Sequence, residues 1–236
     1  MDKIKSFKIK GKTAQIVVGI HGITGDKESS VLDALGKDLA KENVKLLCFD
    51  LPCHGEKASS ERLSLSSCIK ETEKIIKYAQ SFNVPISLFA TSFGGYIALT
   101  ILAKEKFNFK NVILRCPAVF MDEILANLIL PTNNKNIKDL DRPVDIGYEF
   151  PLFVDKNFYA ELCNNKLENK NFNQTINVIQ GKKDDIVDWQ KNEEFFIKKF
   201  GKRCTFHYIP SADHRFKKPG ELEKIVEISE KIIFGK

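Results

Sequence analysis

Short runs rich in β-branched residues alternate along the chain with segments whose apolar residues recur every three to four positions. The runs at 4–9, 15–20, 44–49, 86–90, 111–115, 176–180 and 204–209 read as strands. Segments 30–41, 66–82, 93–106, 189–200 and 220–234 read as helices, each with an apolar stripe suited to packing on one face of a sheet. Strands that alternate with helices in this way predict an α/β fold with a mostly parallel, doubly wound sheet covered by helices on both faces.

One interval breaks the rhythm. Between Pro117 and Gln174 no strand is convincing, while Pro131, Pro143, Pro151, several asparagines and an aromatic stretch from Tyr148 to Tyr159 accumulate. A parallel crossover needs only a dozen or so residues, so the excess predicts an inserted lid or small helical cap, placed at 119–172 within a single domain spanning 1–236. No internal repeat or low-complexity tract interrupts the remainder.

Composition narrows the function classes. With 236 residues, 43% of them hydrophobic, the chain has apolar side chain enough for one substantial core, which excludes disordered and small stapled scaffolds. The 37 basic residues outnumber the 31 acidic ones, but they are scattered lysines and form no block, so no nucleic-acid partner is expected. Cys48, Cys53, Cys68, Cys116, Cys163 and Cys204 contain no C-x-x-C pair and several sit in apolar runs, which reads as buried free thiols in a reducing compartment. No signal-peptide core and no membrane-length apolar span is present. The expectation is a soluble cytoplasmic protein, monomeric or homodimeric, without a membrane partner.

The chemistry concentrates where strands end. Ile86-Ser87-Leu88-Phe89-Ala90-Thr91-Ser92-Phe93-Gly94-Gly95 is an apolar strand running into a small-residue turn and then a helix. In a nucleophile elbow a serine sits on such a sharp turn, its Oγ projecting beyond the sheet while the next amide and the helix N-terminus face a developing oxyanion. Gly94 and Gly95 relieve the crowding, and Ala90 stands in for the first glycine of G-x-S-x-G. The run 15–20 ends in His21-Gly22-Ile23-Thr24-Gly25, a loop from which a second oxyanion amide can come. Ile23 and Phe93 are therefore the candidate backbone donors.

An acid and a histidine follow in the matching chain order. Asp184 lies three residues beyond the strand-ending Gly181 and is the candidate orienting carboxylate; His214, in the loop after the run 204–209, is the candidate general base. Asp185 and Asp188 are neighbours that the same loop could present, and Asp213 is a weaker rival because adjacent side chains point apart. His21, His54 and His207 read as packed or strand-face histidines.

Taken together, the His21-Gly22 loop, the Asp50 to Gly55 loop, the Ser92 elbow and Asp184 with His214 resemble the α/β-hydrolase superfamily over nearly the whole chain. The His21 to Lys27 loop and the aromatic insertion look like bacterial cinnamoyl or feruloyl esterases and their relatives among monoacylglycerol lipases and acylaminoacyl-peptidase-like hydrolases. The resemblance implies a Ser92, Asp184 and His214 triad, an oxyanion hole from the Ile23 and Phe93 amides, no metal or organic cofactor, and an insertion that shapes the acyl pocket. Three departures stand out: Ala90 for glycine, Thr91 where this group often has histidine, and Asp185 where proline often follows the acid. Cys53 also occupies a place where relatives commonly carry glycine.

Within the insertion, Tyr148, Phe158 and Tyr159 are pocket candidates by composition alone. The expected activity is hydrolysis of short-chain acyl or aryl carboxylic esters through an acyl-enzyme, the substrate being a small ester. A peptidase or thioesterase on the same triad is the nearest alternative, and a noncatalytic ligand-binding member of the fold a more distant one.

Overall fold

The structure, a computed structural model, describes residues 4–133, Ile137 and 142–235. Positions 134–136 and 138–141 of the expected insertion lie outside the described residues.

The long runs of apolar residues become the centre of a seven-stranded sheet. Its strands are β1 (Lys5–Ser6), β2 (Gln15–Ile20), β3 (Val44–Cys48), β4 (Ile86–Thr91), β5 (Val112–Arg115), β8 (Ile176–Gly181) and β9 (Cys204–Ile209). They lie in the order β1-β3-β2-β4-β5-β8-β9, with β1 antiparallel to β3 and every other pair parallel. Every residue of β2 and β4 is buried, as continuous rather than alternating hydrophobicity requires of a strand covered on both faces. The N-terminal run 4–9 contributes only the two paired residues of β1, which meet Cys48 and Leu47 at the sheet edge.

Alternate residues of these strands feed two cores. On one face Val17, Phe89, Ile113 and Ile179 pack against helices α1 (Ser30–Lys41) and α7 (Glu221–Phe234). On the other, Val18, Leu88, Leu114 and Val178 pack under α2 (Leu65–Gln80), α3 (Phe93–Leu102) and α6 (Trp189–Phe200). Helix ends follow local chemistry. The Ser64 hydroxyl accepts the Ser67 amide to start α2, and Asp188 caps α6 by accepting the amides of Gln190 and Lys191. Helix α3 stops at Leu102, four residues short of the periodicity reading, where the chain turns and Glu105 takes a positive φ of 54°.

Between β5 and β8 lie α4 (Met121–Asn133), a two-stranded ribbon of β6 (Val144–Asp145) with β7 (Phe153–Val154), and α5 (Lys156–Asn164). The ribbon strands are two residues each, too short to leave a periodic trace. No described helix is long and apolar enough to cross a membrane.

Strand order sets the place of the site. From β2 the chain crosses to β3 on one side and then returns to β4 on the other, so the carboxyl ends of β2 and β4 flank the switch in direction. In open parallel sheets that crevice is where ligands bind.

Candidate active site

Ser92 is the single residue between β4 and α3, and its backbone has φ 52° and ψ −116°, a left-handed conformation unusual for a side-chain-bearing residue. The surroundings hold it there. Its N–H donates to the Arg115 carbonyl at 2.9 Å, and its own carbonyl accepts the amides of Tyr96 and Ala118. Glycine follows for steric reasons: a Cβ on Gly94 would lie 2.5 Å from the His21 carbonyl oxygen, and one on Gly95 would lie 2.7 Å from Pro117 Cβ. Ala90, in the first glycine position of the motif, is fully buried in β4.

His214 and Asp184 converge on this serine from β9 and β8. His214 Nε2 lies 3.1 Å from Ser92 Oγ, and His214 Nδ1 lies 2.9 and 3.0 Å from the two Asp184 oxygens. Paired with an ionised carboxylate, Nδ1 carries the proton and donates it to Asp184, which leaves the Nε2 lone pair to accept the Ser92 hydroxyl. Burial pushes the Asp184 carboxyl up, but hydrogen bonds and charge from His214, the Val187 amide and the Cys116 thiol prevail and hold it below the usual carboxylate range. The Ile186 and Val187 amides donate to Asp184 Oδ1 at 3.0 and 2.8 Å.

The rival residues have other work. Asp185 is exposed, Asp188 caps α6, and the Asp213 carboxylate accepts the Arg215 and Phe216 amides in a turn. His207 Nε2 lies 3.0 Å from Asn177 Oδ1 across the β8–β9 pair. His21 accepts the Leu51 amide on Nε2 and donates from Nδ1 to the Gly22 carbonyl. Burial, reinforced by His54 nearby, drives His21 down to about 3, so it stays neutral. His54 meets the Pro52 carbonyl at 2.8 Å and the Ile23 carbonyl at 2.6 Å.

These histidines pin the loop that carries Ile23. Behind it, Lys27 Nζ is 2.5 Å from Asp50 Oδ2 in a buried ion pair, and Asp50 also accepts the Lys27 and Glu56 amides. Cys53 takes a φ of 64°, a left-handed backbone unusual for a residue that carries a side chain. The loop runs close beside the serine, with a Cβ on Gly22 lying 3.4 Å from Ser92 Cβ. Neither the Ile23 nor the Phe93 amide donates to another described backbone group outside regular structure, and Phe93 opens α3, whose positive end faces the serine.

A cavity of about 500 Å3 opens over Ser92 and His214. Met121, Ile124 and Ile146 of the insertion and Ile186 of the loop after β8 line it, and Tyr148, 71% exposed, stands at its rim beneath the Arg215 guanidinium, 5.0 Å from the ring centre. The other two aromatic candidates are corrected by the structure. Phe158 is fully buried, edge-on to Phe93, because α5 turns Phe158 and Leu162 together toward the core. Tyr159 packs half-buried against the same core and does not line the cavity.

Sequence reasoning passed over Arg115, Cys116 and Gln180. Gln180 donates to Asp184 Oδ2 at 3.1 Å, and Arg115 donates from Nη2 to the His214 carbonyl at 2.8 Å. A signal existed: both are polar residues at the carboxyl ends of otherwise apolar strands, where this architecture keeps its chemistry. The potential ligand atoms of Cys116, Asp184 and His214 lie within 4.8 Å of one another. Burial, and then the Asp184 charge, push the Cys116 thiol far up, so it remains protonated and is a poor metal ligand.

Comparison with known proteins agrees with the fold. The chain resembles Est1E from Butyrivibrio proteoclasticus, solved with ferulic acid bound, at 20% identity and a TM-score of 0.83, covering 99% of this chain and 94% of that one. It resembles a monoacylglycerol lipase from Paleococcus ferrophilus at 16% identity and a TM-score of 0.75, covering 99% and 100%. A soluble variant of the monoglyceride lipase of Saccharomyces cerevisiae, in complex with a substrate analogue, aligns at 13% identity and a TM-score of 0.76, covering 97% and 89%. No curated protein matches the chain by sequence. Residues 11–142, more than half the chain and including the loop after β2 and the Ser92 turn, match the family described as serine aminopeptidase, S33, and the chain belongs to that family of α/β-hydrolase-fold serine hydrolases.

Proposed function

We propose that the protein hydrolyses short-chain acyl or aryl carboxylic esters through an acyl-enzyme on Ser92. The observation that carries this reading is the unbroken hydrogen-bonded line from Ser92 Oγ through His214 to Asp184 at the floor of the cavity. Ser92 Oγ attacks the ester carbonyl carbon as its proton passes to His214 Nε2. The carbonyl oxygen becomes an oxyanion, held by the Ile23 and Phe93 amides, a term worth on the order of 3 kcal/mol per donor. Collapse expels the alcohol, which takes the proton back from His214. Water then repeats the sequence on the acyl-enzyme, releasing the acid and restoring the serine.

Esters are favoured over amides by the ease of the chemistry. An ester alkoxide leaves the tetrahedral intermediate more readily than an amide nitrogen, so the same relay turns over an ester more easily than an amide. The ferulic acid bound by Est1E and the lipase activity named for the other relatives are further support for an acyl or aryl ester. Initial rates on p-nitrophenyl acetate, butyrate and octanoate, on methyl ferulate and on an aminoacyl p-nitroanilide, beside Ser92→Ala, test the proposal. The expected result is turnover of acetate, butyrate or ferulate esters that vanishes in Ser92→Ala. Turnover confined to octanoate or to the anilide, or no difference between the two proteins, would overturn it.

A further inference from the structure

The cavity reaches across the sheet edge into a second lobe that the ester chemistry leaves unexplained. Val31, Phe216, Leu222 and Ile225, residues of the α1 and α7 face, line it, and so does Arg115. Arg115 pairs in register with Thr91 at the ends of β5 and β4, so both side chains point to that face.

This arginine is 93% buried, and its interactions account for only part of it. Nη2 donates to the His214 carbonyl and the guanidinium lies 4.6 Å from the centre of the Phe216 ring, but Nε is buried with no hydrogen-bond partner. Among the described residues no carboxylate comes within ion-pairing distance; Asp184 and Asp213 act on it only from farther away. A buried guanidinium without a counter-ion is costly unless something else supplies the charge.

The rest of the wall matches it. Thr91 and Ser29 also line the cavity, and their hydroxyl oxygens are buried without partners. Ser29 precedes the first turn of the twelve-residue helix α1, whose leading amides receive no side-chain cap, so the positive end of that helix meets the same lobe. A cation, two idle hydroxyls and an uncapped helix start are the donors that a planar anion recruits.

On the basis of the esterase reading above, we infer that this lobe binds a carboxylate carried by the substrate, with Arg115 as its principal partner, so the favoured esters are anionic. The guanidinium fork suits a carboxylate, and a buried guanidinium with no ion-pair partner gains more from one than a solvated side chain would.

Two matched series test this by pH-stat at neutral pH. One compares monomethyl succinate, glutarate and adipate with methyl esters of equal chain length, placing the charge on the acyl side. The other compares butyryl glycolate with its neutral methyl ester, placing the charge on the alcohol side. The expected result is a kcat/KM higher by about tenfold or more for the anionic member of at least one series, the range of a charge-assisted hydrogen-bond pair. Arg115→Met should abolish that ratio, and Arg115→Lys should restore part of it. A ratio at or below one in both series, with neutral esters still turned over, overturns the inference while leaving the esterase reading intact. Equal loss on charged and neutral members in Arg115→Met also overturns it, since that is the signature of an arginine that only holds the His214 loop.

Discussion

The two regions that enclose the cavity are built on opposite principles. Beneath it, Ser92, His214 and Asp184 sit at the ends of β4, β9 and β8, strands locked by parallel pairing, and each is fixed by several hydrogen bonds. Above it, the 119–172 segment offers a ribbon with two-residue strands and the exposed rings of Tyr148 and Phe150. The contrast teaches where precision is needed. Proton transfer demands sub-ångström placement, which a buried sheet provides; accommodating an acyl group demands area, which a few side chains on a short ribbon provide.

The floor can be broken hardest. His214→Ala and Asp184→Asn should each lower kcat by roughly 10^4-fold, with folding retained by circular dichroism, because removing either member of a serine–histidine–acid relay forfeits the activated nucleophile. Retention of a tenth of wild-type kcat in either variant would mean that the relay is not the working chemistry.

The insertion itself contains both kinds of residue, which sharpens the comparison. Phe158→Ala should destabilise the protein by about 3–5 kcal/mol in urea titration, since it empties a fully enclosed site against Phe93. Tyr148→Ala should change stability by less than about 0.5 kcal/mol while altering KM for aryl esters, since the ring is 71% exposed and lines the cavity mouth. Similar stability losses for the two would erase the distinction between buried anchor and rim.

Between these extremes lies a pH effect on the loop that carries Ile23. His21 is held neutral in the fold down to about 3, whereas a histidine in the unfolded chain takes a proton near 6.5. Above 6.5 neither form is charged and the group is silent. As pH falls from there toward 3, the unfolded chain binds a proton that the fold refuses, so stability drops by up to about 1.4 kcal/mol per pH unit from this group alone. Urea titrations at pH 7 and pH 5 on wild type and His21→Gln should show the smaller pH dependence in the variant.

Much of this was legible in the chain and some could not be. The doubly wound sheet follows from alternating runs, and Ser92, Asp184 and His214 follow from strand ends and loop offsets, because strand termini are where local sequence and site coincide. The orientation of Phe158 and Tyr159 is not legible in composition, which cannot say which way a helix face turns; the i, i+4 pair Phe158 and Leu162 carries that information only within the helix α5. Arg115 escaped because its partners, the His214 carbonyl and the Phe216 ring, lie about a hundred residues away along the chain and meet it only through the sheet order.

The most direct test of the central claim is covalent capture of the nucleophile. Incubation with diisopropyl fluorophosphate, followed by peptide mass spectrometry, should place one adduct on the peptide containing Ser92, with ester hydrolysis lost in proportion to labelling and with no adduct in His214→Ala. A folded protein that hydrolyses esters yet is labelled elsewhere, or not at all, would contradict the assignment of Ser92 as the nucleophile.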